Sequence, residues 1–106
     1  MPKFVLAYHG HPDVNTPEEG AKMMAAWKAW MAGLGTAALD PGLAVGPSKT
    51  VLSDGAVAEG GGANPLSGYT VIEAKDMDAA IELVRGCPHL SGSGTIEVAP
   101  DLELDM

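Results

Sequence analysis

One histidine and one aspartate have the side-chain types and surroundings for acid–base chemistry. His9 ends an alternating segment that starts at Lys3, and an imidazole exchanges protons near neutral pH. Asp40 stands before Pro41-Gly42, where its carboxylate could orient such an imidazole. The sequence therefore predicts His9 as a general base with Asp40 as its partner, on condition that the fold brings the two side chains together.

Both residues also have a structural interpretation. His9 could be a hydrogen-bonded histidine at a strand end, and Asp40 could anchor the Pro41-Gly42 turn through the backbone. His11 forms a His-x-His pair with His9, but stable metal sites need three or four ligands, so no metal ion is expected. Cys87 has no base beside it in the sequence and is not expected to be a nucleophile, and no cofactor motif is present.

Aromatic side chains predict a pocket for a small apolar or aromatic ligand. Tyr8, Trp27 and Trp30 could line it, although both tryptophans also fit ordinary core and helix packing. Lys49 could offer a positive charge to an anionic ligand, or it could simply be solvated. The glycine-rich stretch Gly60–Asn64 is predicted to be a mobile loop that covers the pocket.

Composition limits the partners of the chain. The 106 residues suit one domain, which we place at residues 1–100 with an acidic tail at 101–106. The formal net charge of −8 disfavours nucleic acid and anionic membrane surfaces. No signal sequence or membrane-spanning run is evident, so a cytoplasmic location is expected. The single cysteine excludes an intrachain disulfide.

Hydrophobic periodicity and capping residues predict the elements that position these side chains. The capping sequence Thr16-Pro-Glu-Glu19 begins a first helix that ends at Gly35, and Asp76 caps a second. The predicted elements are strand 3–9, helix 17–34, a short strand at 36–40 that enters a Pro41-Gly42 turn, strand 50–52, a hairpin turn at 53–56, strand 69–74, a helix from 77 to Gly86 and strand 95–99.

This order of elements predicts an α+β fold of the ferredoxin-like, split βαβ type, with two helices on one face of an antiparallel sheet. Val5 and Ala7 are apolar on the face opposite to Phe4 and Leu6, so apolar side chains occupy both faces of the first strand. Helices cover only one face. We therefore expect a second copy to cover the other, which gives a homodimer and a dimeric α+β barrel.

The C-terminal half of the chain carries a specific pattern. It reads GYTVIEAKDMDAAIELVRGCP over residues 68–88 and GTIEV over residues 94–98. This half resembles the YCII-related family, and it is closest to the branch that includes the DGPF-type proteins. Weaker similarities extend the resemblance over nearly the whole chain: Tyr8-His9, Thr16-Pro-Glu-Glu19, the Trp27/Trp30 helix, Leu34-Gly35 and Asp40-Pro-Gly42.

The resemblance implies a dimeric α+β barrel and, for the wider family, an enzymatic role that uses a histidine in the first helix and an aspartate after the second. The first helix here has no histidine, and Cys87 stands where the aspartate would be. Two functions therefore remain open: a cofactor-independent small-molecule enzyme that uses acid–base chemistry in an apolar pocket, or a non-catalytic ligand-binding or accessory protein on the same scaffold.

Overall fold

A four-stranded antiparallel sheet and two helices form the body of the protein. The computed structural model describes residues 1–11 and 14–104. The elements in chain order are β1 (Lys3–His9), α1 (Pro17–Leu34), β2 (Ala38–Ala44), β3 (Lys49–Val51), β4 (Val57–Glu59), β5 (Leu66–Glu73), α2 (Met77–Val84) and β6 (Thr95–Pro100). Short 3-10 turns follow each helix, at Gly35–Ala37 and Pro88–Leu90.

The strand order confirms the predicted ferredoxin-like α+β class. The main sheet runs β2-β5-β1-β6, with every neighbouring pair antiparallel, so the two strand–helix–strand halves interleave. The strands β3 and β4, which lie between β2 and β5 in the sequence, pair with each other as a separate two-stranded sheet. In the described part of the chain, no helix has the length and apolar character needed to cross a membrane.

Both helices begin where their capping residues predict. The Thr16 hydroxyl accepts a hydrogen bond from the Glu19 amide at 3.1 Å, and the Glu19 carboxylate accepts one from the Asn15 amide at 3.0 Å. The Asp76 carboxylate accepts a bond from the Ala79 amide at 2.9 Å. These contacts satisfy backbone donors that the first turn of a helix leaves free, which is why the sequence signal is reliable here.

The core lies between the helices and one face of the sheet. Phe4, Leu6 and Tyr8 of β1 are buried, and Ile72 of the neighbouring strand β5 joins them. Val5, between them in the sequence, stays on the opposite face and remains 41% exposed. The alternation of β1 therefore separates a helix-covered face from an open face, as the sequence pattern predicts.

The prediction of a chain-reversing turn at Pro41-Gly42 is wrong, because strand β2 continues through these two residues to Ala44. Proline lacks a donor for the ladder and is tolerated on an edge strand, which is the position that β2 holds. The register against β5 slips twice, once between Ala38 and Asp40 and again between Asp40 and Leu43. Gly42 takes a positive φ of 72° there, so the Pro-Gly pair forms a bulge rather than a chain reversal.

Smaller expectations have mixed outcomes. The hairpin turn at 53–56 is confirmed, with the Asp54 carboxylate accepting from the Ala56 amide at 2.9 Å. β1 ends at His9, so His11 lies beyond the strand. Residues 101–104 have no regular secondary structure, and the last two residues of the predicted tail lie outside the described part of the chain.

The bulge at Gly42 gives a direct test of the β2 path. We expect Gly42→Ala to destabilise the fold by about 2–4 kcal/mol, since a Cβ there would overlap the Tyr69 carbonyl group and alanine resists a positive φ. The matched control is Gly33→Ala in α1, where a Cβ meets open space and should stabilise by about 0.5–1 kcal/mol. Urea unfolding of both variants measures the difference, and equal stabilities would contradict the bulge.

Candidate functional site

An apolar cavity of about 400 Å³ lies beside the edge of the sheet formed by β2 and β5, under helix α1. Its volume falls in the range of sites that enclose small molecules. The walls come from α1, β1, β2, β5 and the turn after α2. The lining residues are Tyr8, Met24, Trp27, Met31, Pro41, Gly42, Leu43, Ala44, Ser67, Gly68, Tyr69, Thr70 and His89.

The space exists because α1 does not fill the groove beneath it. Its apolar stripe is only partly buried, and Met24 at the mouth of the cavity is 58% exposed. Trp27 packs edge-on against Tyr8, with ring centroids 5.2 Å apart, and forms one wall. Trp30 instead donates its indole N–H to the Leu83 carbonyl at 3.0 Å. Of the two tryptophans predicted to bind a ligand, Trp27 therefore lines the cavity, whereas Trp30 ties α1 to α2.

Two hydroxyl groups join three strands on this side of the sheet. Tyr8 donates to the Thr70 hydroxyl at 2.7 Å, and Thr70 donates to the Pro41 carbonyl at 3.0 Å. Burial raises the pKa of Tyr8 to about 12. Tyr8 thus stays protonated at neutral pH. Tyr8 lines the cavity, so its position is compatible with the predicted ligand-binding role.

A buried histidine that the sequence reasoning missed also lines the cavity. His89 is 4% exposed and lies in the 3-10 turn after α2, with its ring 5.3 Å from that of Tyr8. Its Nε2 atom is 2.9 Å from the His9 carbonyl oxygen. The signal for this residue was weak, because a histidine beside a proline after a helix reads equally well as a surface turn.

His9 lies away from the cavity, on the open face at the end of β1. Its Nδ1 atom is 3.0 Å from the Asn64 carbonyl oxygen and its Nε2 atom is 3.1 Å from a Glu97 carboxylate oxygen. Both partners are acceptors, so a neutral ring donates to one of them and only a charged ring donates to both. His9 is therefore a hydrogen-bonded histidine at the end of a strand, which is the structural interpretation given for it from the sequence.

Asp40 has partners other than His9. One carboxylate oxygen accepts from the Gly42 amide at 2.8 Å, and the other accepts from the Tyr69 hydroxyl at 3.3 Å. Asp40 pairs with Val71 on β5, whereas His9 pairs with Leu66 near the other end of that strand. The fold therefore does not bring the predicted dyad together within one chain, and Asp40 supports the β2 bulge.

The remaining predicted features also lie outside the cavity. Lys49 is on the β3–β4 hairpin, where its ammonium group is 3.4 Å from the Glu59 carboxylate and largely solvated. Residues 60–62 line a second, separate cavity that includes His11. Across residues 1–11 and 14–104, no three His, Cys, Asp or Glu side chains are grouped to hold a metal ion.

Cys87 is a buried thiol next to the same region. Burial raises its pKa to about 11, with a smaller opposing effect from the His89 backbone amide. The thiol is therefore protonated at neutral pH, which makes it a poor nucleophile. That Cys87 is not a nucleophile stays a prediction.

A scan against protein-family models finds no match to this chain, and a search of curated proteins finds none either. The resemblance to the YCII-related family therefore stays a prediction.

The two tyrosines provide a pH test of this geometry. Tyr8 should ionise near its folded-state pKa of about 12, so its contribution to stability is complete below pH 10.0 and is lost as the pH rises towards 12. The Asp40 carboxylate raises the pKa of Tyr69, by its charge and by accepting the hydroxyl proton. Asp40→Asn should lower the pKa of Tyr69 and leave Tyr8 unchanged.

Tyrosinate absorbance in a pH titration measures both groups, with the protein in denaturant as the reference. The assigned contacts would be contradicted if both tyrosines of the native protein had the same pKa as in denaturant. They would also be contradicted if Asp40→Asn changed the pKa of Tyr8 and of Tyr69 equally.

Proposed function

We propose that the protein binds a small apolar or aromatic molecule in the cavity between α1 and the β2–β5 edge. The observation that carries this proposal is the cavity itself, about 400 Å³ in volume and walled by Trp27, Met24 and Met31. The cavity is half open to solvent, and a concave apolar space of this size beside half-buried aromatic rings is typical of a ligand site. Few polar atoms face it, which favours an apolar ligand body.

Acid–base catalysis on the bound molecule, without a cofactor, is the second candidate function. The observation that favours it is a buried histidine, His89, in the wall of the cavity. A pair formed by His9 and Asp40 would serve this cavity only if another copy of the chain contributed to it. A non-catalytic ligand-binding protein is the alternative, and the two differ in whether the bound molecule is converted.

The binding proposal predicts the effect of a charge at the mouth of the cavity. Met24→Glu should weaken binding of aromatic probes by about tenfold or more, because the carboxylate would lie against apolar ligand surface. The control, Ala25→Glu, adds the same charge to the same exposed helix but does not line the cavity. Thermal shift and isothermal titration with a panel of aromatic acids, phenols and lactones measure the effect.

Binding of a probe with equal affinity to wild type, Met24→Glu and Ala25→Glu would place the ligand elsewhere. The absence of any binding across the panel would leave the cavity without support as a ligand site.

We also propose that the chain is a homodimer that buries the open face of its sheet. Val5 is paired across the strands with Val71 on β5 and Ala99 on β6, so the three form an apolar row across this face. Val5 is 41% exposed and Ala99 is exposed as well. A two-fold axis through this face would cover the same row on both copies, which is the usual symmetry of small soluble dimers.

Sedimentation tests the dimer. At tens of micromolar, the wild type should sediment at twice the chain mass of 10.8 kDa, and Val5→Glu should sediment as a monomer because a carboxylate in the apolar row opposes burial. Met24→Glu, on the other side of the sheet, should stay dimeric. A monomeric wild type would refute the proposal, and so would a Val5→Glu variant that dimerises as well as the wild type.

A further inference from the structure

Two neighbouring residues, His9 and Gly94, contact the same edge of the His89 imidazole ring, the edge formed by Nε2 and Cδ2. A carbonyl oxygen only accepts, so the 2.9 Å contact between Nε2 and the His9 carbonyl requires that Nε2 carries the proton. The same edge lies against Gly94, where an added Cβ would be only 2.9 Å from Nε2 and 3.0 Å from Cδ2. Nδ1 is on the opposite side of the ring, and it makes no hydrogen bond to any described residue. In the neutral ring this atom is an acceptor.

The hydroxyl groups of Tyr8 and Thr70, which line the same cavity as His89, both donate their protons within the protein. Tyr8 donates to Thr70, and Thr70 donates to the Pro41 carbonyl. The raised pKa of Tyr8, about 12, keeps its phenol protonated and the arrangement intact at neutral pH. Each oxygen therefore offers a bound molecule lone pairs and no proton. The Ser67 hydroxyl has no partner among the described residues, but its oxygen is buried in the wall.

With the His89 ring neutral, His89, Tyr8 and Thr70 thus present acceptors to the cavity, and the Ser67 hydroxyl is the one uncommitted donor among the side chains described above. A ligand carboxylate or carbonyl would find no donor among His89, Tyr8 and Thr70 and would lose its hydration without replacement. The net charge of −8 also opposes an anion. An ammonium group could donate, but the apolar walls make its desolvation costly. A neutral hydroxyl group meets the acceptors without either cost.

We propose that the ligand is a neutral molecule with an apolar body and one acidic hydroxyl group, a phenol or an enol, whose O–H donates to Nδ1 of His89. This inference rests on the proposed binding function and adds the ligand class and the residue that selects it. His89 accepts the hydrogen bond from the ligand hydroxyl, and Trp27 and Met31 contact the apolar body of the ligand.

Three matched probes test the ligand class: para-ethylphenol, its methyl ether and para-ethylbenzoate. They share one apolar body and differ in whether they donate, only accept, or carry negative charge. In titration calorimetry the wild type should bind the phenol about tenfold more tightly than the methyl ether, which is the weight of one well-placed hydrogen bond in a buried site. The benzoate should bind more weakly still.

The variant His89→Gln distinguishes the role of Nε2 as a donor from the role of Nδ1 as an acceptor. A glutamine amide can still donate to the His9 carbonyl, but it lacks the acceptor at the Nδ1 position. The preference for phenol over methyl ether should disappear in this variant, while the methyl ether keeps its affinity. The control is His11→Gln, which removes an exposed imidazole that does not line the cavity and should keep the preference.

A second measurement needs no variant. In the wild type, the nitrogen chemical shift of His89 Nδ1 should change when the phenol binds and should not change with the methyl ether. If the methyl ether binds as tightly as the phenol, or if His89→Gln keeps the preference, the ligand class is wrong while the binding function stands. If none of the three probes binds, both proposals are overturned.

Discussion

A buried chain of two hydrogen bonds, from Tyr8 through Thr70 to the Pro41 carbonyl, joins the three strands β1, β5 and β2. It compensates the burial of two hydroxyl groups and gives the bulged edge strand β2 a side-chain contact in addition to its irregular ladder. The same chain forms part of the polar cavity wall, together with His89 and Ser67. Because both protons are used inside the protein, the character of the cavity follows from a contact that also stabilises the sheet.

Local patterns in the sequence were sufficient for much of the fold. The capping residues Thr16 and Asp76 predicted where both helices begin, and the alternation along β1 predicted which face is buried. The interleaved strand order then follows from two strand–helix–strand halves that share one sheet. Pro41-Gly42 was misread because a bulge on an edge strand and a chain reversal use the same residue types, and only the position in the sheet separates them.

The candidate site could be predicted only in part, because its members come together through long-range register. Tyr8 and Trp27 were found from their chemistry and their positions on β1 and α1. His9 and Asp40 had suitable chemistry, but they pair with opposite ends of β5. His89 was overlooked because its role depends on a contact with the backbone of His9, 80 residues away in the sequence. No local pattern encodes that distance.

We propose that a small ligand binds in the cavity on the helix-covered face and not on the open face of the sheet. The most direct measurement is a nitrogen–proton NMR spectrum of the labelled protein during titration with para-ethylphenol. We expect the signals of the Trp27 indole and of the Gly42 and Gly68 amides to shift, while the Trp30 indole, which is bonded to Leu83, stays nearly unchanged. Shifts confined to residues of the open face such as Val5, with the Trp27 indole unmoved, would contradict it.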